Sequence, residues 1–80
     1  VGRIAGRRYD FILANINRNV LVADMPAYAA ALVPGGDLVM SGFLEADTAA
    51  VTQAAAEQGM ETVAAEIREG WMMIRVKKKK

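Results

Sequence analysis

The chain has neither cysteine nor histidine. Disulfides are therefore excluded, and so is an ordinary zinc site built on thiolate or imidazole ligands. Absence of cysteine suits a reducing cytosol, which sets the expectation of a cytoplasmic protein. No apolar run approaches the length of a membrane span, so no membrane partner is expected. Val1 does not begin a signal peptide, and without an initiator methionine the sequence is expected to start inside a longer protein. A phosphate-cradling G-x-G-x-x-G turn is also missing. Gly35-Gly36 does not replace it, because it follows a helical pattern and precedes an extended one, the reverse of the order required.

Charge is scarce in a less obvious way. The net charge is +1, but Lys77 to Lys80 supply four positive charges at one end, and 1 − 4 leaves −3 for the body. Aromatic residues are only 6% of the chain and none interleaves those lysines. A stacking surface for single-stranded nucleic acid is thus not present, and the run reads as a frayed, solubilising terminus. No direct nucleic-acid partner is expected. At 80 residues the chain is one small domain or a piece of a larger one, and a chain of that size buries only about 60–65% of its unfolded surface.

The stretch that organises the rest is Tyr9 to Asn19. Phe11 to Ala14 is a continuous apolar run, which fits a strand of a parallel sheet buried on both faces, and it ends abruptly at the amide of Asn15. Ligands of open parallel sheets bind outside the carboxyl ends of the strands. Asn15 stands at such an end, and Asn17 and Asn19 follow it into the next loop. Val1 to Arg8 reads as a loop leading into this strand, with Arg7 and Arg8 solvated.

Beyond it, Leu21, Met25, Tyr28 and Leu32 make one helical stripe. Asn17, Asn19 and Asp24 are all candidate caps. Pro26 lies within the stripe and lacks a backbone donor. The expectation is therefore a short turn near Arg18 to Val22, then a restart capped by Asp24 with Pro26 in its first turn. Pro34-Gly35-Gly36 stops the helix. A second strand, Asp37 to Gly42, ends in Ser41 and runs parallel to the first. Asp47 caps a helix from Thr48 to Gln58 whose inner stripe is Val51, Ala54, Ala55 and Gln58, and Gly59 stops it. Met60 to Glu69 alternates, with Val63, Ala65 and Ile67 on one face. It turns at Glu69-Gly70 into an antiparallel return strand, Trp71 to Val76. Met25, Tyr28 and Trp71 read as core, and Met72-Met73 as one side chain on each face. Nothing here pairs with the open edge of the first strand, and such an edge invites association with another chain.

The order strand, helix, strand, helix and closing hairpin resembles the second half of class I S-adenosylmethionine-dependent methyltransferases, in which the last strand inserts antiparallel beside its neighbours. More narrowly, Asn15-Ile16-Asn17-Arg18-Asn19-Val20-Leu21, Leu32-Val33-Pro34-Gly35-Gly36, Ser41-Gly42-Phe43-Leu44 and Glu69-Gly70-Trp71 resemble the ribosomal protein L11 methyltransferase family, over nearly the whole stretch from Tyr9 to Val76. The fold class implied is α/β: the C-terminal half of a Rossmann-like methyltransferase domain, with two parallel strands, crossover helices and a C-terminal antiparallel hairpin. Residues 1–80 are then the C-terminal part of one such domain, whose cofactor-cradling half and substrate-recognition domain lie upstream.

The resemblance implies methyl transfer from S-adenosylmethionine to amino groups of a large-subunit ribosomal protein, with this piece inactive by itself. Asn15 matches the family's asparagine at the end of the fourth strand, against the reactive end of the cofactor and the incoming amine; it is the candidate catalytic and cofactor-binding residue. Asn17 and Ser41 are the candidate substrate-binding residues. Each has a plainer reading: Asn15 as a strand terminator, Asn17 as a helix cap, Ser41 as a small residue that permits a tight turn. No Pro-Pro-Tyr pair of the kind used on nucleobases follows Asn15. Two other functions stay open: a self-pairing α/β interaction module without catalysis, and a methyltransferase for a small molecule or nucleic acid.

Overall fold

The computed structural model describes residues 9–79; the reading of Val1 to Arg8 as a lead-in loop, and Lys80, fall outside them. In chain order the elements are β1 (Tyr9–Asn15), α1 (Arg18–Ala31), β2 (Leu32–Leu44), a 3-10 turn (Glu45–Asp47), α2 (Thr48–Glu57), β3 (Met60–Arg68) and β4 (Trp71–Lys78). The strands form one sheet in the order β1-β2-β4-β3. β1 and β2 are parallel, and β4 runs antiparallel to both β2 and β3, inserted between them.

Both helices lie on the same face of the sheet. Their inner residues Leu21, Met25, Tyr28, Val51 and Ala55 pack with Ala14, Leu38, Met40, Ile74 and Val76 of the strands in one buried cluster. Strand alternation puts the intervening residues on the other face, which no described element covers. There Phe11 is 53% and Leu13 64% exposed. The expectation that Phe11 to Leu13 is buried on both sides is met on one face only.

α1 corrects the helix reading. It is continuous from Arg18, with Pro26 in its interior, and its cap is Asn17, whose Oδ1 accepts from the Val20 N–H at 3.0 Å. Asp24 caps nothing. A proline inside a helix costs about 3 kcal/mol. Leu21, Met25, Tyr28 and Leu32 are all buried, and each such side chain contributes about 1.5–3 kcal/mol. A break at Asp24 would tilt half of that stripe off the sheet, so packing wins. Pro26 itself is exposed.

β2 is longer than Asp37 to Gly42. Tyr9 pairs with Leu32 and Phe11 with Asp37, so β2 takes five residues where β1 takes two, and Pro34-Gly35-Gly36 bulges out within the strand. α2 buries Val51 and Ala55, half-buries Ala54 and leaves Gln58 exposed as its C-terminal cap. Asp47 stands at its N-terminus without a side-chain capping bond. β3 is exposed beyond Met60, and Val63 is an extra residue between the pairs Thr62–Val76 and Ala64–Arg75, so the even alternation breaks there. Glu69 and Gly70 both have positive φ, at 53° and 86°, as the tight turn of a two-residue hairpin requires.

The lysine run is not a frayed tail where it is described. Lys77 Nζ pairs with Asp37 Oδ1 at 3.0 Å. Lys78 Nζ donates to the carbonyls of Ala29 and Leu32 at 2.7 and 2.9 Å, closing the C-terminal end of α1.

Candidate active site

Asn15 is the last residue of β1, and its Cα partner across the parallel ladder is Ser41. The ladder continues one step further, where Ile16 N–H donates to the Ser41 carbonyl at 3.1 Å. Two of the three candidates are thus neighbours by strand register. The third arrives with the helix: Asn17 ends the short link from β1, and capping α1 fixes its carboxamide. Its Oδ1 is occupied by the Val20 N–H, which leaves the amide NH2 as the group it can offer a ligand.

Gly42 makes the arrangement possible. Ser41 pairs with Met73 and Phe43 with Met72, so Gly42 is a bulge between β2 and β4. Its φ is +93°, and a Cβ built there would lie 2.8 Å from Asn15 Oδ1, 2.9 Å from the Ile16 carbonyl oxygen and 3.0 Å from the Ile16 nitrogen. Only a residue without a side chain lets the Asn15 carboxamide lie over the bulge.

Asn15, Ile16, Asn17, Ser41, Gly42 and Trp71 together line an open pocket of about 510 Å³ at the carboxyl ends of the parallel strands. A neighbouring hollow of about 380 Å³ shares Ser41 and Trp71 and continues over Met72 and Met73 to Glu66 and Arg68. Trp71, expected in the core, is 55% exposed and stands between the two. Behind the pocket, Arg18 Nε approaches Asp47 Oδ1 at 3.7 Å, a weak, exposed tie between the start of α1 and the loop after β2.

Among the described residues, no titratable side chain lines the first pocket. Its walls offer amide carbonyl and NH2 groups, a hydroxyl, an indole N–H and backbone. Such a surface orients a ligand and accepts or donates hydrogen bonds, but it has no group to take up a proton. Sequence reasoning brought Asn15, Asn17 and Ser41 to this place and missed Gly42 and Trp71.

The family model described as Ribosomal protein L11 methyltransferase (PrmA) matches residues 2–79. The chain belongs to the ribosomal protein L11 methyltransferase family. Among curated relatives, the ribosomal protein L11 methyltransferase of Phocaeicola vulgatus is 41% identical over 73 residues, covering 90% of this chain and 26% of that protein. That of Chromohalobacter salexigens is 43% identical over 72 residues, covering 90% and 24%. A crystal structure of ribosomal protein L11 methylase from Lactobacillus delbrueckii subsp. bulgaricus superimposes with a TM-score of 0.87, at 22% identity, over 95% of this chain and 40% of that one. The last comparison shows the shared fold: the Rossmann-like α/β arrangement of two parallel strands and a closing antiparallel hairpin. The chain spans about a quarter of the length of the two L11 methyltransferase relatives.

Proposed function

We propose that this chain is the C-terminal part of a single S-adenosylmethionine-dependent methyltransferase domain, and that the complete protein methylates amino groups of ribosomal protein L11 in the cytoplasm. The observation that carries the reading is the pocket in which Asn15, Ser41, Gly42 and Trp71 meet at the carboxyl ends of the strands. Family membership supports the substrate class.

The residues present suit one wall of a cofactor and amine site. The space that a Cβ at Gly42 would fill is where the Asn15 carboxamide sits, and the described lining sets amide and hydroxyl groups among the apolar surfaces of Ile16 and Trp71. Asn15 and Gly42 would face the cofactor, which supplies an activated methyl group when bound. The rest concerns this chain's own groups. Asn15 Oδ1 accepts an N–H of the substrate amine and turns its lone pair into the pocket. The Asn17 NH2 and the Ser41 hydroxyl hold backbone groups of the substrate. Trp71 walls the pocket on the hairpin side and limits water.

Asn15 does not deprotonate the amine. A lysine amine, pKa about 10.4, gives up its proton at pH 7 at a cost of about 4.6 kcal/mol. With no base among the described lining residues, that proton passes to water, helped by the fall in amine pKa on desolvation.

Calorimetric titration tests the division of labour. The chain alone should bind S-adenosylmethionine no better than about millimolar, and the complete protein at about micromolar. Micromolar binding by the 80 residues alone would overturn it. In the complete protein, Asn15→Ala should lower kcat by about 10²-fold while S-adenosylmethionine binding changes little.

A further inference from the structure

The three strand ladders line up at the rim of the sheet that holds the candidate site. Asn15 is the partner of Ser41, Ser41 of Met73, and Met73 of Glu66. Residues paired across a sheet point to the same face. Asn15, Ser41, Met73 and Glu66 therefore form one row across all four strands, on the face away from the two helices. Neighbouring strands lie about 4.8 Å apart, which sets Glu66 about 14 Å from Asn15 along that row. The two hollows follow it: the first holds Asn15 and Ser41, the second Ser41, Met73 and Glu66, and Trp71 borders both. A trough thus runs from an uncharged end at Asn15 to a carboxylate.

We propose that Glu66 is a specificity-determining residue, which rests on the methyl-transfer reading above: it takes a lysine or arginine of the substrate polypeptide about four residues from the methylated amine. An extended chain advances about 3.3–3.6 Å per residue, so about four residues span the row. An even spacing also puts both side chains on one face of the strand. The stretch between them crosses Met73 and Trp71, whose apolar side chains are half exposed. The substrate amine meets no charge in the first pocket, so the carboxylate of the second hollow is where a basic sequence is told from a neutral one. Glu66 Oε1 lies 3.8 Å from Arg68 Nη2, and both side chains are largely exposed. A pair so long and so open is weak, and it yields to a closer cation.

β3 ends the sheet among the described residues, and a charge on an edge strand has the plainer duty of keeping that edge unpaired. Glu61 shares that duty with Glu66 but does not line the trough. The two glutamates therefore separate the roles.

The test uses the complete protein with ribosomal protein L11, and with a substrate variant carrying glutamine for each lysine or arginine about three to five residues from a methylated amine. Glu66→Gln should raise KM for the unaltered substrate by about three- to tenfold at unchanged kcat. The substrate variant should show the same rise with the wild-type enzyme, and the two changes together should cost no more than either alone. Glu66→Asp keeps the charge and should restore most of the lost affinity, and Glu61→Gln should change neither constant. Additive effects overturn the proposal. So does a Glu66→Gln enzyme with an unchanged KM, which is also the result if an upstream segment fills the hollow. Methylated amines with no basic residue at that distance overturn it too. A wild-type protein that transfers no methyl group to the substrate overturns the methyl-transfer reading, and this inference with it. Transfer that is slowed by Asn15→Ala but indifferent to Glu66→Gln overturns this inference alone.

Discussion

At Gly42 two requirements coincide: a left-handed backbone at φ +93° and no room for a methyl group against Asn15 and the Ile16 backbone. Gly42→Ala should therefore lose about 1–3 kcal/mol in urea unfolding and shift the Asn15 side-chain amide resonances. Gly59 also has positive φ but nothing within 4 Å of a built Cβ, so Gly59→Ala should destabilise without touching the pocket. For Asn15, Asn15→Asp in the complete protein separates orientation from charge. A carboxylate beside the amine favours its ammonium form. The pH dependence of kcat/KM should move to higher pH, whereas Asn15→Ala lowers the rate without that displacement. At this scale the sequence was partly legible. Asn15 is marked by ending an apolar run, and Ser41 by ending the next. Gly42 had a signal, since a lone glycine in a strand suggests a bulge. Trp71 had one too: in a strand Met72 and Met73 lie on opposite faces, and period-two alternation puts residue 71 with residue 73. Trp71 follows that parity to the exposed face, not to the core.

α1 shows where element boundaries follow tertiary packing. Its apolar stripe was legible from spacing, as were the end of the helix near Leu32, the parallel pairing of β1 and β2, and the Glu69-Gly70 hairpin. Its continuity through Pro26 was not, because local propensity favours a restart and only the sheet beneath the stripe reverses that preference. Pro26→Ala supplies a backbone donor on an exposed face, and it should stabilise the chain by about 1–3 kcal/mol in chemical denaturation. A neutral result would mean that α1 already bends around the missing bond. The length of β2 was illegible for a related reason: Pro34-Gly35-Gly36 has turn composition, yet the pairs Tyr9–Leu32 and Phe11–Asp37 that flank it keep it within the strand as a bulge. At the far end of α1, Lys78 reaches from β4 to the carbonyl of Ala29 in the last turn and to that of Leu32, the C-cap. Hydrogen bonds from a charged donor contribute about 1.5–3 kcal/mol when partly buried, and a cation at a helix C-terminus adds to this. Lys78→Met keeps the aliphatic stem and removes the donor, so it should lower stability by about 1–2 kcal/mol and speed amide exchange in the last turn of α1. Composition had assigned that lysine to a solvated tail; its role depends on β4 ending beside α1.

Across the described residues, one face of the sheet is sealed by two helices and no described element covers the other, so what holds the strands together on the second face is partly ionic. Asp37 on β2 receives Arg75 Nη2 at 3.0 Å on one oxygen and Lys77 Nζ at 3.0 Å on the other, both from β4. The Arg75 hydrogen bond, then that of Lys77, holds the Asp37 carboxyl below the usual carboxylate range, against a smaller opposing effect of burial. A carboxyl group whose pKa is lower folded than unfolded binds fewer protons in the native state. Its stabilisation is therefore full above the unfolded value and is lost as pH falls through the folded one. Asp37→Asn should thus be less stable than wild type at about pH 7, and the gap should narrow as pH is lowered from about 4 to about 2. Urea midpoints measured across that range check it, and two parallel stability curves would exclude Asp37 as a source of acid sensitivity. The same comparison at high salt bears on mechanism. Asp37 is only 17% exposed, so screening should reduce the gap at pH 7 much less than it would for the exposed Glu66–Arg68 pair at 3.8 Å.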